Sequence, residues 1–155
     1  MSPLLEPKLS DVLASGVLLP AFRCADLDEA LRSLLAPPLA GAGLSESGVS
    51  NVLDAVKQRE RTCSTAIGPV ALPHARVPGL ERIVAGLGSN PDGVFDGDAG
   101  TSFVLAFASP AQSAVAHLRF LARAAQLFRD EDARAHLLAA GDRESMLAAI
   151  RIVEK

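Results

Sequence analysis

The sequence predicts an α/β protein: a single domain over residues 1–155, built on a mixed sheet of about four or five strands with helices on both faces. Three observations predict it. Helical and strand-like patterns are interspersed, with helices on both sides of a central strand block. Ser102 to Ala108 is a continuous apolar run, the pattern of a strand covered on both faces. The 155 residues suit one domain, and 49% of them are hydrophobic, enough for a sizeable core.

Each element has its own signal. Asp26 with Glu29 resembles a capping box that opens a helix. Leu27, Leu31, Leu34 and Leu35 follow at helical spacing until Pro37–Pro38 stop it. Those prolines and the Gly/Ser-rich stretch Gly41 to Gly48 read as a connecting loop. A second helix is predicted from about Val49 to Arg59, with Val49, Val52, Leu53 and Val56 on one face and Arg59-Glu60-Arg61 at its C-terminal end. Strands are predicted at Pro69–Leu72, Ile83–Leu87 and Ser102–Ala108. After Pro110 a helix is read with Ala114, Leu118, Leu121, Ala125 and Phe128 as its apolar stripe, and Arg119 and Arg123 on another side. A short helix after Asp130 ends near Gly141, and Asp142 caps a last helix through Leu147 and Ile150.

Composition excludes several classes. The net charge of -3 and the lack of a Lys/Arg cluster argue against nucleic acid as the main partner. No apolar stretch approaches the roughly 20 residues of a membrane helix, so no direct membrane insertion is expected. The start MSPLLEPKL lacks the features of a secretory signal. Two cysteines, Cys24 and Cys63, make no disulfide framework and read as reduced thiols of a cytoplasmic protein.

The chain has three histidines. His74 follows Leu72-Pro73, where the proline fixes its own φ and pushes Leu72 toward extended backbone. The motif presents His74 from a stiff bend directly after a strand. Taken alone it is weak, since a histidine after a proline is more often an ordinary surface residue. His117 sits near the start of the strongest helix, where free N–H groups favour an anion; its plainer reading is a half-buried helix histidine. His136, near Asp132 and Arg134, reads as solvated. No histidine or cysteine spacing spells a metal site. Asp92, Asp96 and Asp98 lack the EF-hand pattern and read as a solvated, turn-rich loop. No glycine-rich phosphate loop or serine nucleophile elbow is present.

The run from Arg59-Glu60-Arg61 through Ser64-Thr65-Ala66-Ile67-Gly68 to Leu72-Pro73-His74-Ala75-Arg76 looks like the signature of phosphotransferase-system IIA domains of the fructose–mannitol–nitrogen type. Ser109-Pro110 and then His117-Leu118-Arg119-Phe120-Leu121-Ala122 resemble that family's second-histidine helix. The order of elements matches from about Leu9 to Ile152. The resemblance implies a phosphotransferase that takes a phosphoryl group from phospho-HPr, or an HPr-like phosphocarrier, on His74. It implies that the group passes to a IIB domain, or that phosphorylation controls a regulated protein without sugar transport. Arg59 and His117 match the flanking residues that orient the site and neutralise phosphate charge. No cofactor is implied, because the donor is already a phosphoprotein. Between Gly68 and Pro73 this chain has Pro69-Val70-Ala71-Leu72, one residue fewer than the family commonly has, so the loop before His74 is shorter and stiffer. The three site residues are expected to converge on one shallow, solvent-accessible pocket, with Ala71, Leu72, Ala75 and Val77 as an apolar rim.

Overall fold

The structure, a computed structural model, describes residues 8–62, 64 and 66–154. Their elements, in chain order, are α1 (Leu9–Ala14), β1 (Val17–Leu19), α2 (Leu27–Leu34), α3 (Ala36–Gly41), α4 (Glu46–Thr62), β2 (Val70–Ala71), β3 (His74–Val77), β4 (Val84–Ser89), β5 (Phe103–Pro110), α5 (Ala114–Arg129), α6 (Glu131–Ala139) and α7 (Arg143–Val153). The strands form one mixed sheet. β1 is parallel to β4, β4 is antiparallel to β5, and both β2 and β3 run parallel to β5 along its other edge.

Side-chain alternation along β5 divides the helices between two layers. Phe103, Leu105 and Phe107 face α1, α5, α6 and α7, where they meet Leu13, Phe120, Leu127 and Ile150. Val104, Ala106 and Ala108 face α2, α3 and α4, where they meet Leu31, Leu34, Leu39 and Val56. The second face is built from small residues, and the helices there come very close to it. An added Cβ at Gly86 would lie 2.0 Å from the carbonyl oxygen of Leu34.

Local capping chemistry starts five of the helices, α4 among them. Asp26 accepts from the Glu29 amide at 3.0 Å, and Glu29 reaches back to the Ala25 amide at 3.3 Å. Ser113, Asp130 and Asp142 cap α5, α6 and α7 through the amides of Ala116, Ala133 and Ser145. Each such cap satisfies an amide that the helix itself leaves unpaired.

Four sequence-based expectations are corrected. Pro37 and Pro38 do not form a loop; they occupy the first turn of α3, where a missing N–H costs nothing. The Gly/Ser stretch is shorter than read, because α4 already begins at Glu46, with Ser45 Oγ accepting from the Gly48 amide at 3.1 Å. The buried face of α5 is Ala116, His117, Phe120, Ala124, Leu127 and Phe128; of the predicted stripe Phe128 is buried, whereas Ala114 and Ala125 are exposed and Leu118 is 64% exposed. Apolar residues stand on more than one side of that helix, so spacing alone leaves its rotation open. Finally, His74 does not sit in a bend after a strand but opens a strand of its own.

Candidate functional site

β2 and β3 are one strand interrupted at Leu72-Pro73. Val70 pairs with Phe103, Ala71 with Val104 and His74 with Phe107, so the register continues across the gap without a slip. Pro73 contributes no donor, yet its carbonyl still accepts from the Phe107 amide at 3.1 Å. The interruption therefore leaves β3 aligned with β5 and places the His74 ring on Phe107, at a centroid distance of 4.8 Å and an interplanar angle of 13°.

The His117 ring comes from α5, with its centroid 5.1 Å from that of His74. It also lies 5.6 Å from Phe107, which in turn contacts Phe120 at 4.7 Å. Packing thus fixes both imidazoles from behind. Arg59 arrives from the last turn of α4. Together Ala55, Arg59, His74, Ala75, Arg76 and His117 line one cavity of about 270 Å³. The three residues singled out in the sequence meet there.

Hydrogen bonds settle the tautomer of His74. Its Nδ1 lies 2.6 Å from the Leu72 carbonyl oxygen. A carbonyl only accepts, so Nδ1 carries the proton and donates it, and Nε2 keeps the lone pair. Nδ1 of His117 lies 2.5 Å from Ser109 Oγ.

Both rings are held neutral. Burial is the main cause that lowers the His74 pKa below the ordinary imidazole value; Arg59 adds to it, while the bond to Leu72 and the charge of Glu60 oppose it. His117 is pushed down to about 4, first by burial and then by His74, Arg76 and Arg59. The unfolded chain protonates histidines at about pH 6.5. Folded-state values below that mean stability is full above about 6.5 and is lost as pH falls toward 4. His117→Asn should flatten this decline in urea midpoints taken across the window. An unchanged slope would remove His117 as its source.

Other expectations fare differently. The site is less open than read: His74 is 5% and His117 8% exposed. The proposed rim is also corrected. Ala71, Leu72, Ala75 and Val77 are all buried, and of these only Ala75 lines the cavity. They belong to a strand packed between two helical layers, so their side chains enter the core. Among the described residues the exposed large apolar side chains are Val115 and Leu118, on either side of His117 in α5, together with Ile67 and Ile152. His136 is exposed, as read. Cys63, inside the motif, lies outside the described residues.

Two residues were missed. Arg76 stands two positions after His74, hence on the same face of β3, and its guanidinium donates to the Ala111 carbonyl. Strand alternation was the signal that would have found it, had the strand been read. Ser109 was noticed only as part of a motif. Among the described residues, no group of three or more His, Cys, Asp or Glu side chains is placed to hold a metal ion, and no helix is long and apolar enough to cross a membrane.

Comparison with known proteins bears on what this arrangement serves. A family model described as phosphoenolpyruvate-dependent sugar phosphotransferase system, EIIA 2, matches residues 17–152. A "Nitrogen regulatory protein" of Bradyrhizobium diazoefficiens is 32% identical over 149 residues, covering 93% of this chain and 95% of that protein. Among solved structures, nitrogen regulatory protein IIA-Ntr from Neisseria meningitidis is similar with a TM-score of 0.69 at 22% identity, covering 92% of this chain and 98% of that one. Enzyme IIAMTL, in its complex with phosphorylated enzyme IIBMTL from Escherichia coli, gives a TM-score of 0.63 at 18% identity, covering 89% of this chain and 95% of that one.

Proposed function

This chain belongs to the phosphoenolpyruvate-dependent sugar phosphotransferase system EIIA 2 family, and from that premise we propose that it carries a phosphoryl group on Nε2 of His74. Residues 1–155 act as a single domain of this type, in the cytoplasm. The observation that carries the reading is the bond from His74 Nδ1 to the Leu72 carbonyl, in a cavity that also holds Arg59, Arg76 and His117. A neutral ring with its lone pair on Nε2 is a competent nucleophile.

The step is an exchange of one nitrogen–phosphorus bond for another. Nε2 of His74 attacks phosphorus, and the bond to the donor histidine breaks with its electron pair returning to the donor nitrogen. As Nε2 binds phosphorus the ring gains positive charge, and the Leu72 carbonyl stabilises it by accepting from Nδ1–H. Arg59 and Arg76 offset the charge on the phosphoryl oxygens; a guanidinium suits this because its fork matches two oxygens. Positioning and charge stabilisation are most of what phosphoryl transfer requires. The donor, a phosphohistidine on HPr or an HPr-like protein, supplies the group, so no cofactor takes part.

The protein named as a nitrogen regulatory protein favours regulation as the outcome, with the phosphorylated and free forms binding a regulated protein differently. The IIAMTL–IIBMTL complex supports the other outcome, transfer to a IIB domain. Incubation with enzyme I, HPr and phosphoenolpyruvate, followed by intact mass, tests the carrier reading; adding a IIB domain then separates the outcomes. His117→Ala should slow labelling by about a hundredfold without moving it from His74. Arg59→Lys should slow it by about tenfold, because a point charge cannot replace the fork. Wild-type rates in both variants would show that neither residue serves the transfer.

A further inference from the structure

Ser109 lies on β5, on the same sheet face as Phe107, and is the register partner of Arg76. It is fully buried, with 0% exposure. Its hydroxyl has one hydrogen-bonding partner among the described residues, Nδ1 of His117 at 2.5 Å. Either atom of that pair can in principle be the donor. If Nδ1–H were the donor, the hydroxyl proton would be buried with no acceptor, an arrangement that folded proteins avoid. The hydroxyl is therefore the donor, Nδ1 is the acceptor, and the ring proton of neutral His117 sits on Nε2.

The two neighbouring imidazoles then have opposite tautomers. His74 is held as Nδ1–H by a carbonyl that can only accept, and its Nε2 has the lone pair. His117 is held by a hydroxyl that must donate, and its Nε2 has the proton. Two neutral histidines with centroids 5.1 Å apart would otherwise compete as phosphate acceptors.

We propose that Ser109 is a positioning residue that fixes His117 as the Nε2–H tautomer, so that His117 donates to the phosphoryl oxygens and His74 alone takes the phosphorus. This inference rests on the carrier reading above. The identity of the acceptor is thereby decided by the second bond each ring makes, and not only by which ring is better exposed.

Ring-nitrogen NMR on histidine-labelled full-length protein tests it near neutral pH, with His117→Ala used to assign the signals. The wild type should show His117 with a bare Nδ1 and a protonated Nε2, and His74 with the reverse. Ser109→Ala should convert His117 to a mixture of tautomers. It should also lower the rate of transfer from phospho-HPr about tenfold, through kcat and not KM. Ser109→Thr, which retains the hydroxyl, should restore both readouts. A protonated Nδ1 on wild-type His117 overturns the proposal, and that measurement needs no variant to fold. So does a Ser109→Ala protein whose His117 keeps a single tautomer, or one whose tautomers mix while transfer is unaffected. If the wild type shows the stated tautomers but takes no phosphate, the carrier reading fails while the assignment of the Ser109 bond stands.

Discussion

His74→Ala should abolish phosphoryl uptake from phospho-HPr, lowering the initial rate by about 10⁴-fold or more, the scale on which losing a covalent nucleophile acts. No other residue of the cavity replaces it. Arg59 and Arg76 are permanent cations without a lone pair to offer, and on the assignment above His117 has its proton where the attack would occur. Cys63 is the competing nucleophile to exclude, because it stands inside the motif and a thiolate can also take phosphate. Cys63→Ser should therefore label at the wild-type rate. The bond formed is a phosphoramidate, so the label should survive base and be lost in acid. Labelling of His74→Ala at the wild-type rate, or an acid-stable label, would sink the assignment.

Gly86→Ala should cost about 3 kcal/mol or more, the upper range for forcing atoms into a packed interior. Domains of this kind have only about 5–15 kcal/mol to lose. The new methyl would lie 2.0 Å from the Leu34 carbonyl oxygen, 2.7 Å from its carbonyl carbon and 2.9 Å from its Cα. All three are backbone atoms at the end of α2, so no rotamer change relieves the clash; the helix must lift off the sheet. The melting midpoint should fall by about 10 °C. Gly41→Ala is the control: its Cβ would meet nothing within 4 Å, at the last residue of α3. It should be neutral or stabilising by up to about 1 kcal/mol. Equal midpoints for Gly86→Ala and the wild type would refute the close approach of α2.

What could be read from the sequence follows from the range of the forces involved. Caps act over three residues, so Asp26, Asp130 and Asp142 announced their helices. The apolar run at β5 needed no partner to be recognised. β1 and β3 did need one. Val17–Leu19 is a strand because β4 lies beside it, and His74–Val77 because β5 does; His74-Ala75-Arg76-Val77 alternates polar with apolar residues, but over four positions only, too few to mark a strand without its partner. The same division holds at the site. Arg59, His74 and His117 were legible through motif resemblance. Arg76 and Ser109 were not, since what they reach depends on the pairing of β3 with β5, which the short alternation at His74–Val77 does not encode.

The interrupted strand also bears on how this protein can meet others. A sheet edge recruits other chains when it presents a long, unbroken row of backbone donors and acceptors. Here one edge is β1, only three residues long. The other is β2 and β3, which are interrupted at Leu72-Pro73 and followed by Pro78, a residue with no N–H to offer, while Arg76 places a charge on it. Neither edge can template an added strand of useful length. On the carrier reading proposed above, partner proteins would be recognised by side chains around the cavity and not by extension of the sheet. The break that aligns His74 on Phe107 thereby also protects the sheet from edge-to-edge aggregation.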